Sequence, residues 1–242
     1  MNFDVAQHKT KLQSYFNGVG FERWSAIYGQ GPLTGVRRSV RDGHTMMMDR
    51  AEAWLLEQGL PTNAHIFDAG CGTGLFSIRL ARRGFRVTAA DIAPQMVRTA
   101  SQQAHQAGAA IADRIRFVAG DLEVVGGTYD AVVCFDVLIH YPRPAFAQLC
   151  SRLARLSRGP LILTYAPYNR LLAFKHWLGG HFPHSQRRTD IQMMPGDFVR
   201  HTLEQAGMRV RRQVPVSCGF YHVVLLEAEK QEFLNRFGRV RF

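Results

Sequence analysis

From Ala64 onward the hydrophobic period switches repeatedly between short apolar runs and helical spacing, the mark of strands joined by crossover helices. The runs His65–Ala69, Arg86–Asp91, Ile115–Ala119, Tyr129–Phe135 and Leu161–Ala166 read as strands, followed by Met208–Val216 and Phe220–Ala228. Gly74–Arg83 stops at Gly84, Pro94–Ala107 opens on proline and stops at Gly108, and Pro142–Ser157 stops at Gly159, which is helix punctuation. Crossover helices make the strands they join parallel. The last two strands have no helix between them and are expected to close the sheet as an antiparallel hairpin.

The expected fold class is therefore α/β, a Rossmann-like doubly wound sheet with a closing antiparallel hairpin. A chain of 242 residues, 46% hydrophobic, can bury one core domain of ordinary size, placed at 61–229. Residues 1–60 precede it as a helical arm or lid, in which Lys9–Phe16, Glu22–Ile27 and Arg37–Gln58 read as helices separated by glycines and Pro32. A basic insert lies at 168–194. Its stretch Tyr168–Thr189 carries Arg170, Lys175, Arg187 and Arg188 with no acidic residue, a charge of +4. A basic tail follows at 230–242, with Lys230, Arg236, Arg239 and Arg241 against Glu232.

The formal charge of +11 fits a nucleic acid, an anionic membrane surface or a small acidic substrate, and does not choose among them. The four cysteines, Cys71, Cys134, Cys150 and Cys218, show no zinc or redox spacing, so a disulfide framework or a structural metal is not expected. Cys71 and Cys134 read as small packing residues. Residues 1–12 are polar, and no run approaches the roughly 18 apolar residues of a membrane span. A cytoplasmic protein is expected, with at most peripheral membrane contact.

The segment Phe67-Asp68-Ala69-Gly70-Cys71-Gly72-Thr73-Gly74 ends a strand and opens a helix, where glycines let backbone approach a ligand at the helix N-terminus. Its glycines are two apart with no following lysine, unlike dinucleotide fingerprints or phosphate loops. The spacing resembles the S-adenosylmethionine loop. Asp91 stands 21 residues after Gly70 at the next strand end, where a carboxylate can accept ribose hydroxyls, with Ile92 beside it. Gly120-Asp121-Leu122 ends the third strand, where such enzymes hold the adenine amino group. The resemblance also places Asp68 as an anion where such enzymes hold the ammonium of the methionine moiety, usually through water. The candidate cofactor residues are thus Asp68, Gly70, Cys71, Gly72, Gly74, Asp91, Ile92, Asp121 and Leu122, together with Asp136 at the fourth strand end.

The fourth strand runs into Phe135-Asp136-Val137-Leu138-Ile139-His140-Tyr141-Pro142. It lacks the Asp/Asn-Pro-Pro-Tyr/Phe of enzymes that methylate amino groups of bases, which disfavours nucleic acid as a partner, as does the lack of aromatic-interleaved basic runs. Together with Tyr15-Phe16-Asn17-Gly18-Val19-Gly20-Phe21-Glu22-Arg23-Trp24, Ile27-Tyr28-Gly29 and Ser39-Val40-Arg41-Asp42-Gly43-His44, this segment resembles the magnesium-protoporphyrin O-methyltransferases of bacteriochlorophyll and chlorophyll synthesis.

The resemblance covers roughly Tyr15 to Glu227 and implies the class I methyltransferase fold. It also implies S-adenosylmethionine as cosubstrate and transfer of its methyl to one propionate of Mg-protoporphyrin IX, whose Mg2+ belongs to the substrate and not to a protein metal site. A magnesium-chelatase subunit delivering the pigment is the partner it brings, and the margin of a photosynthetic membrane is the location. It places catalytic roles on Tyr28 and His140. The propionate is ionised at neutral pH, so two roles stay open for His140: orienting the carboxylate, or removing a proton if burial raises the propionate's pKa. Tyr28 would donate to the carboxylate or close the arm. The rival readings are a small quinone- or phenol-precursor O-methyltransferase, a non-catalytic tetrapyrrole carrier and a basic RNA methyltransferase.

Overall fold

The computed structural model describes residues 4–29, 31–168 and 191–230. Most of the basic insert and nearly all of the basic tail lie outside the described residues.

Five strands follow the expected alternation: β1 (His65–Ala69), β2 (Arg86–Asp91), β3 (Ile115–Ala119), β4 (Ala131–Cys134) and β5 (Leu161–Pro167). A two-residue strand, β6 (Met193–Met194), pairs with β5, and β7 (Met208–Cys218) and β8 (Tyr221–Lys230) are the last described strands. The sheet order is β3-β2-β1-β4-β5-β8-β7, parallel through β5 and antiparallel where β8 meets β5 and β7. The order reverses between β1 and β4, so their carboxyl ends open a crevice, the usual ligand position in such sheets. This is the class I methyltransferase fold, with its closing antiparallel pair.

The helices are α1 (Val5–Asn17), α2 (Val19–Tyr28), α3 (Gly35–Glu57), α4 (Leu75–Arg82), α5 (Pro94–Ala107), α6 (Ala109–Ala112), α7 (Arg143–Leu156) and α8 (Gly196–Gln205). Local signals set their starts. Asp4 accepts the Gln7 amide ahead of α1, Thr34 accepts the Arg37 amide ahead of α3, and Pro94 opens α5.

Successive residues of a strand face opposite sides of the sheet, so the apolar runs fill two cores at once. Phe67 packs on the side of Phe146, Leu153 and Leu203, from α7 and α8. Its neighbour Ile66 packs on the side of Met47, Leu55 and Leu80, from α3 and α4. β7 forms one edge, which tolerates Pro215, and exposes Arg209 and Arg211. The half-buried Arg212, beside a register shift in the ladder, lies over Trp54, 4.4 Å from the ring centre, and pairs with the fully buried Glu227 at 2.5 Å. Among the described residues, no helix is long and apolar enough to cross a membrane.

Candidate active site

Past β1 the chain turns through Gly70–Gly74 into α4. The amides of Gly70 and Cys71 both donate to the Ala90 carbonyl, at 2.8 and 2.9 Å, which ties the turn to β2. Gly70 and Gly74 adopt φ of +84° and +79°, where side chains are strained. Space demands glycine there too: a Cβ at Gly70 would stand 2.0 Å from Val137 Cγ2, and one at Gly74 2.8 Å from Ala100 Cβ. A Cβ at Gly72 would meet nothing within 4 Å, so this part of the loop lies open to a ligand.

Asp91 braces that loop. One of its carboxylate oxygens accepts the Gly72 amide and the other the Ala93 amide, each at 2.9 Å. Burial pushes its pKa up, against the pull of those two donors. Asp68 is buried beneath the loop and accepts the Ser77 hydroxyl at 2.5 Å. Desolvation, with the nearby Asp91 charge, raises it to about 6. Cys71 and Cys134 are buried with thiols pushed well above their ordinary value by desolvation, the condition of packing residues. Asp121 caps the tight turn Leu122–Val124 and pairs with Lys9 of α1 at 2.6 Å. The Leu122 side chain is buried in the core, and its carbonyl accepts from Arg152. The Ile92 carbonyl accepts from Gln13 of α1 at 3.0 Å. The first helix therefore reaches two of the strand ends.

At the end of β4, Asp136 takes a φ of +56°. Its amide donates to Thr164 Oγ1 at 2.7 Å, and its carboxylate accepts Thr164 at 3.0 Å and Tyr221 at 3.0 and 3.2 Å. The carboxylate is thus turned toward β5 and β8. His44 Nε2 lies 4.0 Å from it, and His44 Nδ1 is hydrogen-bonded to the hydroxyl of Tyr28. Trp24 stacks on Tyr28 with ring planes 4° apart and packs against His44 at 5.4 Å. Tyr28 also borders an open groove between α3, α4 and α5, of about 490 Å³, whose wall includes Arg41, Arg82, Met48, Leu75 and Ile78.

His140 sits one turn beyond, in the tight turn Leu138–His140. It is buried, its carbonyl is hydrogen-bonded to His8 Nε2 at 2.8 Å, and Phe16 packs edge-on against its ring at 5.3 Å. Its Nδ1 is buried with no hydrogen-bond partner among the described residues. Burial lowers its pKa to about 4, aided by the nearby His8. A buried polar atom without a partner is costly unless a ligand satisfies it. Tyr28 and His140 thus lie in two distinct clusters of contacts, one around Asp136 and one under α1. His44, Tyr221, Lys9 and Gln13 complete these clusters; His44 lies in a segment that carries the family resemblance, but no local pattern gives any of the four a role. Gly43 offers at most an indirect hint, since a helix interior disfavours glycine unless a neighbour needs the space.

Two sequence families match the chain: one described as magnesium-protoporphyrin IX methyltransferase C-terminus over residues 134–230, and one described as methyltransferase domain over residues 66–159. The magnesium-protoporphyrin O-methyltransferase of Synechocystis sp. is 38% identical over 91% of this chain and 95% of its own. That of Rhodobacter capsulatus is 32% identical over 94% of this chain and 99% of its own. The crystal structure of magnesium protoporphyrin IX methyltransferase from Synechocystis PCC 6803 with bound SAH superposes with a TM-score of 0.83 at 37% identity, covering 92% of this chain and 100% of that one. Matches of this identity running from the N-terminal helices to the closing strands establish that the chain belongs to the magnesium-protoporphyrin O-methyltransferase family.

Proposed function

We infer that this protein transfers a methyl group from S-adenosylmethionine to one propionate of Mg-protoporphyrin IX, giving the monomethyl ester in (bacterio)chlorophyll biosynthesis. The observation that carries this reading is the match to magnesium-protoporphyrin O-methyltransferases over most of the chain, 38% identical over 91% of it. When bound, S-adenosylmethionine supplies an electrophilic methyl group on a sulfonium.

The residues of the crevice fit that cosubstrate. Gly70, Cys71, Gly72 and Gly74 would receive its methionine part at the open face of the loop, with Asp68 as the anion for the ammonium. Asp91 and Ile92 would hold the ribose, and Asp121 and Leu122 the adenine. Asp136 lies at the same crevice, and its engagement with Tyr221 and Thr164 gives it a supporting place. To the methyl transfer itself we assign Tyr28 and His140. A propionate is ionised at neutral pH, and His140, with a pKa of about 4, is no better a base than the carboxylate itself. That supports an orienting role: a neutral imidazole whose unpaired buried nitrogen donates to the reacting carboxylate.

The N-terminal helices, contacting strand ends through Lys9 and Gln13, would act as a lid that excludes water. The groove beside Tyr28 combines apolar Met48, Leu75 and Ile78 with Arg41 and Arg82, a lining suited to a dianionic macrocycle. The net charge of +11 serves this acidic pigment in our reading, and any membrane contact is peripheral, at the photosynthetic membrane. The reaction that supplies the substrate inserts magnesium, so a magnesium-chelatase subunit is the partner expected to deliver it.

The test is incubation with methyl-labelled S-adenosylmethionine and, separately, Mg-protoporphyrin, metal-free protoporphyrin, a catechol and RNA. Label in an ester of Mg-protoporphyrin is the expected result. Label only in the catechol or RNA, or pigment binding without transfer, would overturn the reading.

A further inference from the structure

We propose that His44 and Asp136 are positioning residues that commit the hydroxyl proton of Tyr28 to His44, so that Tyr28 meets the reaction as an acceptor and not as a donor to the carboxylate. The proposal rests on the methyl-transfer reading above for what Tyr28 serves, and on geometry alone for where its proton lies.

The two nitrogens of His44 face two different groups. Nδ1 is hydrogen-bonded to Tyr28, and Nε2 lies 4.0 Å from a carboxylate oxygen of Asp136. A neutral imidazole carries one N–H. At Nε2 that N–H points its positive end at the carboxylate, whereas a lone pair there would be repelled by it in a buried site where such forces are weakly screened. The Nε2–H tautomer is therefore favoured, and Nδ1 must accept. The proton it accepts is that of Tyr28.

The surroundings hold the arrangement in place. Asp136 cannot turn away, because the Tyr221 hydroxyl donates to it at 3.0 Å and Thr164 at 3.0 Å. The rings of Trp24 and Tyr221 pack against His44, at 5.4 and 6.2 Å. Burial holds His44 below its ordinary pKa, while burial and the Asp136 charge push Tyr28 above its own, so the pair shares its protons as two neutral groups. Arg79 and, for Tyr28, Arg41 add a positive field from α3 and α4.

A tyrosine with its proton so committed presents lone pairs. Lone pairs repel a propionate and attract electron-poor C–H groups, of which a sulfonium methyl is a strong case. The specificity of Tyr28 is then for the group transferred and not for the group that receives it.

The experiment is nitrogen-15 NMR of histidine-labelled full-length protein, with His44→Gln identifying the His44 signals. The expected result is an unprotonated Nδ1 and a protonated Nε2, with the preference lost in Asp136→Asn. A protonated Nδ1 in the unmutated protein would overturn the proposal. In the methylation assay, Tyr28→Phe and His44→Gln should each lower kcat by about tenfold, the double variant no more than either, with S-adenosylmethionine affinity falling no more than about fivefold, the worth of one C–H···O contact. Additive losses would also overturn it. If no methyl reaches Mg-protoporphyrin at all, the functional reading fails while the tautomer measurement still decides the proton's place.

Discussion

Gly43 lies against the ring of Tyr221, so close that a Cβ there would stand 2.6 Å from Tyr221 Cδ1 and 2.8 Å from its Cβ. Glycine inside α3 costs about 1 kcal/mol in helix propensity relative to alanine, so Gly43→Ala should stabilise an isolated helix. In the fold it forces apart two packed elements, at a typical overpacking cost of about 1–3 kcal/mol. The net expectation is a loss of roughly 1 kcal/mol and a melting point about 2–4 °C lower. Thermal unfolding followed by circular dichroism checks it, and a higher melting point would mean that Tyr221 moves aside freely.

Asp91 joins the glycine loop to the turn after β2 through the amides of Gly72 and Ala93. Asp91→Ala removes a charged acceptor from both amides and, in our assignment, from the ribose. Loss of charge-assisted hydrogen bonds of this kind should weaken S-adenosylmethionine binding by roughly 1.5–3 kcal/mol, about tenfold to a hundredfold. Titration calorimetry reads the affinity, and unchanged binding would remove Asp91 from the site.

Glu227 is fully buried and held by Arg212 at 2.5 Å and Gln58 at 2.6 Å. Arg212→Ala leaves its charge with Gln58 alone and uncovers Trp54. A stranded carboxylate of this kind should cost about 2–4 kcal/mol, the low end reflecting water reaching the edge strand. Burial already raises the Glu227 pKa, and losing Arg212 raises it further. A raised carboxyl takes up its proton in the native state first as pH falls, so the deficit of the variant should shrink from pH 7.5 to 5.5. Urea unfolding at the two pH values measures this, and a deficit that widens toward acid would refute it.

The boundaries of β1, β2 and β3 were readable to the residue because each is a short run bounded by polar or glycine punctuation; β1 and β2 are buried on both faces and carry no competing pattern, while β3, at the sheet edge, keeps only Ile115 buried. β4 is shorter than its apolar run: Tyr129 makes only an isolated bridge to Ser157, and the chain leaves the ladder before the positive φ of Asp136. The helix Gly196–Gln205 went unread behind Pro195 and Gly196, which look like a turn, although Phe198, Val199, Thr202 and Leu203 do keep helical spacing. The glycine loop, Asp91 and Asp121 stand out in the sequence because each follows an apolar run, and they do lie at or just past the ends of β1, β2 and β3. The partners of Asp136 do not stand out, since Tyr221 is 85 residues away in sequence, and His44 pairs with Tyr28 from a different helix. Such pairings follow from packing, which leaves no period in the chain.

His140 keeps a pKa of about 4 in the fold against 6.5 when exposed, so it is neutral wherever the enzyme works. A histidine with a lowered native pKa contributes stability that is present above 6.5 and lost as pH falls toward 4, because the unfolded chain gains a proton that the native one refuses. The shift corresponds to at most about 3 kcal/mol, at 1.36 kcal/mol per pH unit. His44, lowered in the same direction, adds to it, while Asp68, raised to about 6, opposes it by taking up a proton in the native state first. His140→Asn should therefore lose less stability between pH 6.5 and 4 than the parent does, as urea unfolding across that window would show. The same variant separates the two catalytic roles. If His140 orients an ionised propionate, asparagine retains a donor, and turnover should fall by less than about a hundredfold with no new dependence on pH between 6 and 8. A required general base would instead cost about 10²–10⁴-fold. Turnover equal to the parent's would remove His140 from the site, and a thousandfold loss with unchanged S-adenosylmethionine affinity would make it the base after all.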